Sequence, residues 1–433
     1  MADTPDIQFK KITDIKKHIE LCRDFYIGSI KVFNETYLPK WSGETDEGYA
    51  TRIASTAFAN MYAPIIDGLA GLITKTEPTK EKLDNLDLDN VDLKHHNIVG
   101  FGKEVIKKSL SEGIVFVSVE TNTQKNRAFF KMYSYENLMS YVFEDDVLVQ
   151  IVFRDETEQQ DGRFGVKKLE RYIVFKRGGG EVWYKGDGSD EITLQYEWFN
   201  NLQDIPVVWF TTGKELSQFE IIPKMYDIAN LNRVHLNLES NIANVLSVVG
   251  NPVPIFYGQV EEDKITIGVK DALRFDDKQK EGFEYGEITG AGVTHLQNKI
   301  KLIEEQIDKT TFSILKKETN KTVIDAQESR NKNTSFLTDV ATELETKMNI
   351  LIKYMAELEN KSLKDGAFIR YKKDFDEEII NLEIAEKLLF AGEMSRETFY
   401  TILKTGELPK DFDVSKETEK IEAETKSGAS LGV

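Results

Sequence analysis

The sequence predicts an α+β fold on three observations. Between Gly113 and Phe210, short β-branched and aromatic runs alternate with glycine-containing turns, the pattern of an antiparallel meander. Before and after that region, apolar residues recur three and four apart, the period of amphipathic helices. A chain of 433 residues also exceeds what one core organises, so two to four substructures are expected at roughly 150 residues each.

Composition narrows the class. Apolar residues make up 40% of the chain and charged residues 30%, proportions that support a folded protein with a large core. No run approaches the roughly 20 apolar residues that span a bilayer, and the opening MADTPDIQFKK has no apolar signal core. The expectation is a protein that stays where it is made, with no membrane partner. Cys22 is the only cysteine, which excludes an internal disulfide or a cysteine-built zinc or iron–sulfur site and fits a reducing cytoplasm. The formal net charge is −18, whereas a protein that grips DNA tightly neutralises phosphates with a basic surface. A repressor or nuclease is therefore not expected. A conduit through which DNA slides without sticking is compatible.

Along the chain, residues 9–36 place Ile12, Ile15, Ile19, Cys22 and Phe25 or Tyr26 at helical spacing. After Tyr37-Leu38-Pro39 and a polar turn, residues 49–78 read as a helix bent near Pro64 and stopped before Pro78. The stretch 83–96 collects Asp84, Asp87, Asp89 and Asp92 near His95 and His96. It lacks the glycine and terminal glutamate of a helix-loop-helix calcium loop, so a solvated acidic loop is expected and no metal. Residues 97–112 read as helix. Strands are predicted at 113–122, 128–134, 147–155, 167–177, 181–186, 192–199 and 205–210, with turns at Asp161-Gly162, Gly178-Gly179-Gly180 and Asp187-Gly188. The three glycines are not followed by Gly-Lys-Ser/Thr and read as a hairpin rather than a phosphate loop.

The stretch from Ile221 to Leu358 organises the rest. Its first helix carries Ile221, Met225, Ile228, Leu231, His235, Leu238, Ile242, Val245 and Val249 at spacings of three and four, with an asparagine-rich polar face. That face suits close helix packing or a crowded ring interior, and His235 reads as a packing residue. Gly250 and Pro252 end the helix. A glycine-dotted acidic insert follows, with strand candidates at 265–269 and 283–288. Thr294 and Gln297 form a capping-box signature for a second helix bearing Leu296, Ile300, Ile303, Ile307 and Ile314. A lysine-bearing polar loop, KKETNK, leads to a third helix. Its stripe of Leu337, Ala341, Leu344, Met348, Leu351, Met355 and Leu358 reads as a coiled-coil seam or, more commonly, as a long helix laid on the protein's own sheet. Two short helices separated at Gly392 follow, with Ser395 as N-cap and Gly406 as stop, and then a tail rich in Glu and Lys.

Catalysis leaves no signature. Paired carboxylates at useful spacing, a metalloprotease histidine pair and a Gly-x-Ser-x-Gly elbow are all absent from the sequence. The expectation is a non-enzyme without cofactor.

Four stretches resemble one family in order. YLPKWSGETDEGYATRIASTAFANMYAPIIDGLAGLI carries Tyr-Leu-Pro, an acidic spacer and a Tyr-x-x-Arg helix. DIPVVWF followed by FEIIPKMYDIANLNRVHLNLESNIANVL reads as a strand leading into a stem helix. ETNKTVIDAQESRNKNTSFLTDVATELE reads as a loop and long helix. LLFAGEMSRETFYTILKTGELPKDFD holds Gly-x-x-Ser-x-Glu between two helices. Together they resemble the portal, or head-to-tail connector, proteins of tailed double-stranded DNA bacteriophages.

The resemblance implies a portal-like subunit with wing, two-helix stem, small α/β clip, long wing helix and helical crown. In its terms residues 1–215 are wing, 216–249 first stem helix, 250–293 clip, 294–316 second stem helix, 317–324 tunnel loop, 325–373 wing helix and connection, and 374–433 crown and acidic tail. It implies a homo-oligomeric ring, a dodecamer in the family, at one capsid vertex of the virion, assembled in the host cytoplasm. It further implies double-stranded DNA passing without sequence specificity. Lys316, Lys317 and Lys321 would ring the tunnel. Glu261, Glu262, Asp263, Asp276 and Asp277 would form a clip surface for the terminase large subunit, which supplies the ATP hydrolysis, and for the head–tail adaptor. Major capsid protein is a further partner, and scaffold protein another candidate. The competing readings are a non-portal structural or scaffold protein and an enzyme built on the α+β region.

Overall fold

The computed structural model describes residues 4–122, 127–186, 191–249, 253–257, 273–275, 282–286, 291–315, 323–373, 388–389, 391–405 and 412–426. The fold is α+β, and the chain forms two units, 1–373 and 374–433.

The first unit opens with helix α1 (Lys10–Ile27), which buries Ile12, Ile19, Cys22 and Phe25 as its spacing predicts. The helical stretch predicted for 9–36 breaks at Gly28, whose φ of 92° is left-handed, and resumes only as the single turn α2 (Ser29–Val32). The helix predicted at 49–78 is also two helices, α3 (Asp46–Ser55) and α4 (Tyr62–Ile73). The break falls at residues 56–61, not at Pro64, because proline in the first turn of α4 removes only an N–H that has no partner within the helix. A short strand, β1 (Thr79–Glu81), and helix α5 (Ile98–Glu112), capped by Asn97, lead into the sheets.

The predicted meander divides between two sheets. Strands β2 (Ile114–Asn122) and β3 (Arg127–Tyr133) form one. The other is the antiparallel run β4 (Leu138–Glu144), β5 (Val147–Asp161), β6 (Gly165–Lys176), β7 (Gly179–Lys185) and β8 (Ile192–Phe199). Strand β9 (Val207–Thr211) leaves that run and pairs with β2, with Val208 opposite Val117. Alternation specifies that a segment is a strand but not which strand it joins. Strand β4 was not predicted. It follows the turn Tyr135–Asn137, which Ser134 and Asn137 cap reciprocally.

The three glycines do form the predicted hairpin. Gly178 turns at φ 73°, and a Cβ on Gly180 would sit 2.3 Å from the Trp198 ring. Asp187-Gly188 lies outside the described residues. Both sheets and α1 close over one core containing Ile12, Ile19, Phe116, Tyr133, Phe153, Phe175 and Val207.

A hairpin of β10 (Lys214–Ser217) and β11 (Glu220–Ile222) follows, turning at Phe219 with φ 60°. That ring lies 4.9–5.4 Å from those of Phe116, Tyr141, Phe143 and Trp209, contacts that hold a backbone conformation a phenylalanine seldom adopts. The helix predicted from residue 216 accordingly starts later, as α6 (Tyr226–Val249).

Next come β12 (Val253–Tyr257), β13 (Leu273–Phe275) and β14 (Gly282–Gly286). Strand β12 lies in the middle of this sheet, parallel to β13 and antiparallel to β14. Helix α7 (Ala291–Leu315) begins before Thr294, which therefore lies inside the helix and not at its N-cap. Helix α8 (Val323–Leu358) buries Leu337, Ala341, Leu344, Met348, Leu351 and Met355. The stripe lies on the sheet of β2, β3 and β9 rather than pairing as a coiled coil within this chain. Each fully buried Leu or Met contributes about 1.5–3 kcal/mol over an exposed one, so the stripe fixes α8 firmly. Strand β15 (Phe368–Arg370) returns to pair with β1.

In the second unit lie α9 (Arg396–Thr405) and α10 (Val414–Lys426). Most of the helix predicted before Gly392 lies outside the described residues.

Candidate functional site

Helices α6 and α7 hold 24 and 25 residues and so are each roughly 36 Å long. They pack against each other, and the β12–β14 sheet lies between them in the chain. Helix α7 is one-sided. Ile300, Ile303 and Ile307 are buried on a single stripe, while Lys299, Lys301, Leu302, Glu304, Glu305, Gln306, Asp308 and Lys309 are exposed. His235 on α6 is buried, as a packing residue should be, but it also makes a polar link across the pair. Its Nε2 lies 3.3 Å from Oε1 of Glu304 on α7 and 3.9 Å from Glu239 on its own helix.

The asparagine-rich face of α6 is a docking face for residues 37–62. Asn232 is fully buried, its Oδ1 accepting from the N–H groups of Met61 and Tyr62, both at 3.1 Å. Those two N–H groups sit at the start of α4, where a helix has none of its own carbonyls to satisfy them. The Asn232 amide also donates to Ala59 O at 2.9 Å, and Asn237 donates to Tyr37 O at 2.9 Å. Of the two readings of this face, close packing is the one these contacts show.

Arg52 is the centre of the attachment. Its Nε and Nη2 donate to the two carboxylate oxygens of Glu44 at 2.7 and 2.8 Å. Nη2 also donates to Pro39 O at 3.0 Å, and Nη1 donates to Ser240 Oγ on α6 at 2.9 Å. The guanidinium lies 4.2 Å from the Trp41 ring centre and 5.2 Å from that of Tyr49. The Arg52 hydrogen bonds, aided by the Trp41 N–H and outweighing desolvation, hold the Glu44 carboxyl down to about 2.

Tyr-Leu-Pro, the acidic spacer and Tyr-x-x-Arg thus converge on one guanidinium. Sequence reasoning had not assigned Arg52 a role. The available signal was that it is the only charged residue between Tyr49 and Ile66.

The residues proposed to face DNA and docking partners fall elsewhere. Lys316, Lys317 and Lys321 occur between the end of α7 and the start of α8, and lie outside the described residues. Glu261, Glu262 and Asp263, between β12 and β13, and Asp276 and Asp277, between β13 and β14, also lie outside them.

The 83–96 segment forms turns. Asp92 accepts from the N–H groups of Lys94 and His96 and pairs with the His96 ring at 2.7 Å, while Asp87 meets Arg127 at 2.7 Å. Among the described residues no three His, Cys, Asp or Glu side chains gather as metal ligands, and no helix is long and apolar enough to cross a membrane.

In the second unit Ser395 caps α9 as predicted, its Oγ accepting from Thr398 N at 3.3 Å. The buried Glu417 of α10 accepts from Ser395 N and Thr398 Oγ1, both at 2.7 Å. Burial would raise the Glu417 carboxyl, but these hydrogen bonds and Lys420 hold it below its ordinary value.

Comparison with known proteins adds two likenesses. Residues 224–358 match a family described as a domain of unknown function, DUF4055. The match spans α6, the small sheet, α7 and α8, and leaves the larger sheets and the second unit outside it. No curated protein matches. Among solved structures, the chain is similar to one from the structure titled "Virion of native gene transfer agent (GTA) particle". The identity is 12% and the TM-score 0.42, over 81% of this chain and 89% of that one.

Proposed function

We propose that this chain is the portal subunit of a tailed bacteriophage or a related particle, and that copies of it form a ring around a channel for double-stranded DNA. The observation that carries the reading is α7. A 25-residue helix that over residues 299–309 buries one stripe, Ile300, Ile303 and Ile307, and exposes the others suits a ring in which helix pairs of neighbouring copies stand side by side. The match to one family model over 224–358 supports treating the helix pair, small sheet and long helix as one unit. The resemblance of four stretches in family order supplies the rest.

In this reading α6 and α7 are the stem, the β12–β14 sheet belongs to the clip, and α8 is the wing helix. The Arg52 attachment ties the N-terminal segment to the stem. A net charge of −18 keeps phosphates from finding deep wells along the bore, while Lys316, Lys317 and Lys321 hold them transiently at one level. The acidic clip residues, Glu261, Glu262, Asp263, Asp276 and Asp277, dock the terminase during packaging and the adaptor afterwards. The major capsid protein surrounds the ring in the virion.

Electron micrographs of the purified protein test the ring. Replacing all three lysines with alanine tests the channel: DNA packaging or retention should change, and packaging identical to wild type would remove the lysine loop from the account.

A further inference from the structure

The central hairpin of the five-stranded sheet outgrows its neighbours. Strands β5 and β6 stay paired from Gln150–Lys176 to Asp161–Gly165, but β4 accompanies β5 only as far as Phe153, and β7 accompanies β6 only from Arg171. Residues 156–170 therefore continue as a two-stranded ribbon, roughly 20 Å beyond the rim of the sheet. Every residue from Glu158 to Val166 is exposed, and the end of the ribbon carries two apolar side chains among polar ones, with Phe164 88% and Val166 65% exposed. A lone two-stranded ribbon is marginal in water, and the exposed Phe164 and Val166 side chains add a reason for it to be covered.

The same sheet offers a matching surface. Strand β8 is its outer strand and, among the described residues, pairs only with β7, which leaves its other edge open. It also exposes Leu194, Tyr196 and Phe199 at 43%, 53% and 84%. Open edges invite pairing with another strand. The ribbon cannot reach this edge within its own chain, because it continues the axes of β5 and β6 while β7 stands between β6 and β8.

We infer that the 156–170 ribbon is an arm that reaches the β8 edge of a second copy of this chain, burying Phe164 and Val166 against Leu194 and Tyr196. Such a contact uses different surfaces on its two sides, so it repeats around a ring. The inference deepens the ring reading and rests on it for the closure of that repeat.

Cysteine pairing tests the contact directly, since the natural Cys22 is buried and silent. Val166→Cys is combined in turn with Leu194→Cys, Gln195→Cys and Tyr196→Cys in the full-length protein, and each sample is oxidised and run without reductant. At least one pair should give a ladder of dimers, trimers and larger species, while each single variant gives no species beyond a dimer. No ladder from any pair overturns the arm contact. As a second readout, Phe164→Asp with Val166→Asp should shift the assembly to smaller species on a sizing column with light scattering. Unchanged assembly would hand the arm to some other partner and overturn the inference. Micrographs of the oxidised samples separate the two claims: rings without a ladder sink only the arm, whereas a ladder in particles that are not rings sinks only the portal reading.

Discussion

Arg52→Ala is the perturbation that most directly probes how the N-terminal segment is held to α6. It removes a residue that is 4% exposed, leaves Glu44 with only the Trp41 N–H as donor and Ser240 Oγ and Pro39 O without the guanidinium, and takes away the cation lying against Trp41 and Tyr49. Removing one partner of a buried ion pair costs about 3–5 kcal/mol. This pair lies near the surface, so the lower end, about 3 kcal/mol, is expected. At roughly 2 °C per kcal/mol for a large domain, the melting temperature should fall by about 6 °C in calorimetry. Arg52→Lys should recover only part of that, because an ammonium cannot span both Glu44 oxygens while reaching Ser240.

The Glu44 carboxyl, held down to about 2, gives the pH dependence its sign. The contribution of the pair is complete above the ordinary carboxylate range and is lost as pH falls from roughly 4.5 towards 2. The difference in melting temperature between wild type and Arg52→Ala should therefore shrink in acid. A drop below about 1 kcal/mol at neutral pH would show a solvated surface pair and refute the reasoning.

Two further substitutions probe the remaining contacts. Asn232→Ala strands two N–H groups at the start of α4 and the carbonyl of Ala59, at a cost of about 3 kcal/mol, and hydrogen exchange at Met61 and Tyr62 should accelerate; unchanged exchange would assign those amides another acceptor. Glu417→Ala should expose the amide of Ser395 to exchange, leave the Thr398 hydroxyl without its acceptor and cost the α9–α10 contact about 2 kcal/mol. Because the Glu417 carboxyl is lowered, the wild-type contact should also weaken as pH falls through the acid range, and a contact that strengthens in acid would contradict the assignment.

Elements whose signal lies in local spacing were legible in the sequence. The α8 stripe from Leu337 to Met355, the α1 stripe and the hairpin at Gly178 each follow from periodicity or from a left-handed backbone that favours glycine. Elements decided by distant partners were not. Strand β9 joins β2 rather than β8 because of a core assembled from residues 12–221. The start of α6 at Tyr226 depends on Phe219, whose four aromatic neighbours stabilise a hairpin that apolar spacing alone reads as helix. Thr294 satisfies a capping pattern, yet α7 already begins at Ala291.

The site was legible to a similar degree. The asparagines of α6 stood out as an uncharged polar face, but their acceptors and donors lie about 170–200 residues away and leave no mark near them. Arg52 was visible only as a lone cation in a stretch of small and apolar residues.

The central claim is that copies of this chain close into a ring around a channel. Electron microscopy of the purified full-length protein tests it most directly, with end-on views averaged without imposed symmetry. The account predicts closed rings with a stain-filled central hole and a single number of copies per ring. Solid particles or open filaments at all concentrations would contradict it.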